Sequence, residues 1–202
     1  MRHRNVLTLV AFVLLAAPAF ADYGSRPAPP PPPPSSSPPG GSPEYTGTET
    51  PRSRATPWYG DAYNDVVRGQ KDLGKGDRAS AEKRFRKALE RSQRAVEIDS
   101  TYYEAWNLVG FTRRMLRDYR NSFAAYRTCL RLKPDYAPAR EYYGQALLEI
   151  DDVKGAREQL AWLRRLTEPD LTASLEKSLQ SWQLAHPDSV AQAPADSTSA
   201  MH

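Results

Sequence analysis

The chain has 202 residues, with 28 Lys and Arg against 24 Asp and Glu, for a formal net charge of +4. A hydrophobic share of 40% at this length supports one domain with a continuous core, and nothing in the charge total demands nucleic acid, for which the sequence has no reading motif. Cys129 is the only cysteine. An intramolecular disulfide is therefore excluded, and the fold must hold by packing alone.

The N-terminus carries Arg2 and Arg4, a mostly apolar run over residues 6–17, and then Ala19-Phe20-Ala21. A basic region, a short apolar stretch and an A-x-A site are the parts of a secretory signal peptide, expected here over residues 1–21. The run falls well short of the roughly 20 residues that span a bilayer. Cleavage after Ala21 removes Arg2 and Arg4 and leaves 26 basic against 24 acidic side chains, a net +2. The expected location is the bacterial periplasm or the medium, with a eukaryotic secretory route as the alternative.

Residues 22–57 read as a Pro/Ser/Gly-rich disordered linker. Six consecutive prolines, Pro29 to Pro34, favour stiff polyproline II, and Gly40-Gly41 loosens the segment beyond them. It is a spacer or a docking peptide for a proline-reading module. At the other end, residues 185–202 are rich in Ala, Ser, Pro and Asp without periodicity and read as a disordered tail.

Between these flanks a four-point template recurs three times. The copies are Gly69, Ala81, Phe85, Ala88; then Gly110, Ser122, Tyr126, Cys129; then Gly144, Ala156, Leu160, Leu163. Each is a small residue, a small residue at +12, a large apolar one at +4 and a small or apolar one at +3. Every point moves by 41 from the first copy to the second and by 34 from the second to the third. The clearest copy adds Trp106-x2-Val109-Gly110 before the turn at Asp118-Tyr119 and ends at Pro134.

This pattern resembles the tetratricopeptide repeat (TPR), a 34-residue helical hairpin with the landmarks W-x2-L-G-x2-Y, A-x3-F and P. Arg113 stands where the family has Tyr. The resemblance implies an all-α fold: a short solenoid of about three hairpins over residues 58–102, 103–136 and 137–170. A capping helix over residues 171–184 follows, with Leu171, Leu175, Leu179 and Trp182 on one stripe. The glycines should let paired helices approach closely, so Gly110 is expected to face Ser122. The seven extra residues in the first interval are about two helical turns. They are expected to lengthen the second helix through Ile98, with an inserted loop as the competing reading. Ser100 or Thr101 is then expected to cap the next helix.

In the family, the first helix of each hairpin lines a concave groove. By position this implies a groove of Gln70, Asn107, Phe111, Arg114, Glu141, Tyr142 and Gln145, with Phe111 and Tyr142 either aromatic anchors or inter-repeat core. A Lys/Asn clamp for a terminal carboxylate does not fit, because those positions hold Glu104, Leu108, Pro138 and Glu141.

Basic residues cluster unevenly. Residues 113–133 hold seven Lys and Arg against one acid, which reads either as solvated helix faces or as a surface for an anionic partner. His3, His186 and His202 all lie outside the repeats, so no histidine there can serve as a general base. No metal-ligand spacing, nucleophile elbow or phosphate loop is present in the sequence. The expectation is a non-enzymatic exported adaptor without cofactor or metal, binding a protein or peptide segment. Self-assembly, or service as an accessory subunit of an envelope enzyme, is the alternative.

Overall fold

A computed structural model describes residues 49–187. The expected signal peptide, most of the linker and nearly all of the tail lie outside the described residues. Seven helices follow in order: α1 (Pro51–Gly74), α2 (Arg78–Ile98), α3 (Tyr103–Met115), α4 (Tyr119–Leu132), α5 (Ala137–Leu148), α6 (Val153–Arg165) and α7 (Pro169–Ala185). Consecutive helices pack as pairs, and no strand occurs among the described residues.

The three hairpin turns use one local solution. A residue in the left-handed region ends the first helix: Gly76 at φ 81°, Arg117 at 62° and Asp151 at 63°. The next residue is an aspartate each time. Its amide reaches back to the carbonyl five residues earlier, Asp77 to Asp72, Asp118 to Arg113 and Asp152 to Leu147, at 2.9–3.0 Å. That is the six-to-one bond of a Schellman turn. The same aspartate caps the second helix by accepting from the backbone N–H three residues on, at Ser80, Asn121 and Gly155. These aspartates lie eight residues after the template glycines, so the repeat includes its own turn.

The template residues are buried, Trp106 alone being half-buried. A methyl group on Gly69 would stand 2.9 Å from the Phe85 ring, and one on Gly110 would stand 2.7 Å from the Tyr126 ring. Real side-chain carbons do not approach that closely, so glycine is what lets the two helices meet. Ser122 Oγ donates to the Gly110 carbonyl at 2.8 Å, joining the pair expected to face each other. The third copy differs. The nearest atoms to Gly144 belong to Leu175 of α7, because Leu160 is shorter than an aromatic ring and the α7 side chain fills the space.

The first hairpin is longer at both ends than its successors. Helix α2 runs unbroken to Ile98, as the seven-residue excess requires. The linker boundary at residue 57 is corrected: α1 begins at Pro51, with Thr50 Oγ1 accepting from the Ser53 amide, and Pro57 lies inside the helix. Pro57 cannot donate a helical hydrogen bond, which normally argues against that placement. Burial outweighs it. The last two turns of α2 bury Ser92, Ala95 and Val96, and the added turns of α1 bring Ala55 into the same core cluster as Ala95 and Val96.

Arg52 fastens this extension to the α2–α3 junction. Its Nε donates to Asp99 Oδ2 at 2.6 Å, and its guanidinium lies 3.9 Å from the centre of the Tyr102 ring. Burial raises the Asp99 pKa, but Arg52 and Thr101 outweigh it and hold the carboxyl below the usual range. The expected cap of α3 is also corrected. Thr101 spends its hydroxyl on Asp99 Oδ1 at 2.6 Å, and Tyr102 takes the N-cap position without a side-chain cap bond.

Helix α7 starts two residues before the expected capping helix and includes Ala185 from the expected tail. Its Leu175, Leu179 and Trp182 pack with α5 and α6 in one core cluster, while α1 to α5 share another.

Two sets of variants test this account by thermal denaturation. Gly110→Ala should lose about 1–3 kcal/mol through overpacking against Tyr126. Gly60→Ala, on α1 with nothing within 4 Å of the new methyl, should gain about 0.5–1 kcal/mol from helix propensity. A chain starting at Trp58 should melt below one starting at Glu49 by about 2 kcal/mol or more, because it removes buried Ala55 and the Arg52 contacts to Asp99 and Tyr102. Equal melting of the two chains would show that residues 51–57 are passengers.

Candidate functional site

The odd-numbered helices α1, α3, α5 and α7 touch one another in sequence, whereas α2, α4 and α6 do not touch among the described residues. The odd helices therefore form one contiguous row, called the inner row, and the even ones stand beside it as the outer row. All the groove residues expected from the sequence lie on inner-row helices: Gln70 on α1, Asn107, Phe111 and Arg114 on α3, and Glu141, Tyr142 and Gln145 on α5. Gln70 is half-buried, and the other six are buried. Phe111 and Tyr142 meet edge to face with ring centres 5.3 Å apart. They form the α3–α5 contact rather than protruding anchors.

Arg114 is the hub of a buried polar chain. Its Nε and one terminal nitrogen donate to Glu149 Oε1 at 3.0 and 2.6 Å, and the other nitrogen donates to Gln145 Oε1 at 2.8 Å. Gln145 Nε2 donates onward to Glu141 Oε1, which also accepts from Ser174 Oγ of α7 at 2.7 Å. Burial works against the Arg114 charge, yet Glu149 more than offsets it and raises the pKa. Glu141 goes the other way for a carboxylate. Burial raises its pKa, and Ser174, Arg114 and Gln145 offset only part of that.

Several buried hydrogen-bonding atoms have no partner. Among the described residues they are both ends of the Asn107 carboxamide, the hydroxyls of Tyr102, Tyr126 and Tyr136, and Oε2 of Glu104 and Glu141, with Thr56 still near enough to Tyr102 to act on its hydroxyl. Four of the six residues concerned fall in register, whereas Glu104 and Tyr126 do not. Tyr102 and Tyr136 are 34 residues apart and are the N-cap residues of α3 and α5. Asn107 and Glu141 are also 34 apart, one turn and a half further into the same helices. The packing repeat thus carries a repeat of unsatisfied polar groups. Leaving such a group buried costs about 1–3 kcal/mol, and these atoms are closed to solvent, so a ligand reaches them only if the helices around them move apart. The two tyrosines were missed from the sequence, although their 34-residue spacing was visible in it. Tyr59 against Tyr102 and Tyr103 against Tyr136, each with ring centres 5.0 Å apart, make this end of the inner row rich in phenols.

No protein-family model matches this chain, and no curated protein sequence matches it.

Among the described residues no group of three or more His, Cys, Asp or Glu side chains could hold a metal ion. No described helix is long and apolar enough to cross a membrane. Cys129 is a buried free thiol, and burial pushes its pKa up, away from thiolate reactivity.

The raised pKa of Glu141 gives a pH dependence of definite sign. Ionising this carboxyl costs more in the folded chain than in the unfolded one. Stability therefore falls as pH rises from the ordinary glutamate value, about 4.3, through the raised folded value, and stays lower above it. Glu141→Gln keeps an acceptor for Ser174 and Gln145 and removes the charge. It should melt higher than the parent at neutral pH, with the difference closing as the pH drops toward 4. A parallel pair of melting curves across that range would refute the assignment.

Proposed function

We propose that this protein is an exported tetratricopeptide-repeat adaptor that holds an extended segment of a partner protein along its inner row of helices. Support for the family reading comes from the paired helices, the glycine contacts and the three matching aspartate turns. Export rests on the N-terminal pattern of residues 1–21.

The observation that carries the binding reading is the pair of unsatisfied sets at Tyr102/Asn107 and Tyr136/Glu141, which are closed to solvent in the free chain and which a partner segment would reach by parting the inner helices. A carboxamide presents one acceptor and donors on the same plane, which suits the alternating C=O and N–H of an extended backbone. Phenolic hydroxyls accept or donate as required. Two sets one repeat apart would hold two successive stretches of the same segment. The role is non-catalytic, and neither cofactor nor metal enters it.

The test is recovery of a partner from an envelope extract by residues 49–187, compared with the Asn107→Leu/Tyr136→Phe variant. These substitutions keep volume while deleting atoms that have no partner in the free protein. The variant should melt higher by about 1–2 kcal/mol and lose the partner. That opposition of stability and binding is the signature of a ligand site. Equal recovery by both would place binding elsewhere. A domain that retains nothing but forms multimers would turn the reading to self-assembly.

A further inference from the structure

We propose that the outer face of α4 is a second docking surface, for an acidic peptide segment of a protein partner. Helix α4 contains no acidic residue. Arg120, Arg127 and Arg131 are exposed and fall within about 60° of arc along roughly 16 Å of helix. None of the three makes an ion pair or side-chain hydrogen bond among the described residues.

The acids nearest in sequence are committed elsewhere. Asp118 pairs with Arg113 at 2.5 Å and caps α4, Lys133 takes Asp135 at 3.0 Å, and Arg114 takes Glu149. The contrast with α2 is informative. That helix is just as basic, yet Arg84, Arg86, Arg91 and Arg94 each face a carboxylate. Like charges at i and i+4, as at Arg127 and Arg131, weaken a helix slightly. The chain balances this on α2 and leaves it unbalanced on α4.

The chemistry of the stripe selects the occupant. All three cations are arginines, whose planar forks take carboxylates in bidentate fashion. Ala124 lies between Arg120 and Arg127 on the same line and keeps the centre of the stripe low. A linear chain can therefore lie close to the helix. A flat anionic lipid surface fits less well. None of the exposed large apolar side chains is on α4, so nothing there would insert. The outer helices on either side also expose acids, Glu90 and Glu97 on α2 and Glu158 on α6. The surface is separate from the inner row and stands or falls independently of it.

The experiment uses the full chain and a fluorescein-labelled oligoglutamate, read by anisotropy at two salt concentrations. Three variants run beside the parent: R120Q/R127Q/R131Q, the charge-matched control K71Q/K83Q/K87Q, and the inner-row variant N107L/Y136F. Circular dichroism checks that each is helical. The α4 triple should weaken binding by about tenfold or more, with a shallower salt dependence, while the other two bind as the parent does. Equal weakening by both charge triples would reduce the effect to net charge and overturn the proposal. Loss in the inner-row variant alone would move the acidic segment to the inner row. Parent binding to phosphatidylglycerol vesicles without binding to oligoglutamate would replace the peptide with a lipid surface and overturn it as well.

Discussion

In the first two hairpins an aromatic ring laid against a glycine sets the distance between the helices, and the rest of the structure is arranged around that distance. At Gly110 the ring of Tyr126 sits where a side chain would begin, and Ser122 bonds the carbonyl so exposed. Once two helices are that close, the chain must reverse within a few residues. It does so with a left-handed residue followed by a capping aspartate at all three hairpins. Arg117 and Asp151 adopt the left-handed conformation without being glycine, at a cost of roughly 1–2 kcal/mol each. That strain persists because the Schellman bond and the cap together fix the turn.

The same geometry explains what the sequence revealed and what it hid. The template residues were legible because small and large positions at fixed offsets report contacts within one hairpin. The start of α1 was not. Pro57 and the proline-rich stretch before it look like linker, and the reason to override them lies in Ala95 and Val96, about 40 residues away in sequence. A lengthened α2 needs a lengthened α1, so the seven-residue excess held the information only once both helices were considered together.

The inner row was the harder part. Helix α5 buries residues on nearly every side, from Ala137 and Ala139 through Glu141, Tyr142 and Gln145 to Leu148. Its hydrophobic pattern therefore cannot separate a groove-lining position from an inter-helix one. Phe111 and Tyr142 match groove positions by spacing, yet they contact each other. What distinguishes the inner face is hydrogen-bond bookkeeping, and composition does not report that.

Helix α7 is more than a lid over the last hairpin. It supplies Leu175 against Gly144 and Ser174 to Glu141, and through Glu141 and Gln145 it reaches Arg114 on α3. One polar chain thus crosses three inner helices that are distant in sequence. A buried charge such as Arg114 is tolerated only while Glu149 and Gln145 stay in place. A shift of α7 would take Ser174 from Glu141 and leave its carboxylate with one hydrogen-bond donor fewer in a buried site. The polar chain therefore ties the spacing of α3, α5 and α7 together, and any segment bound along the inner row would meet a wall joined by hydrogen bonds across three helices.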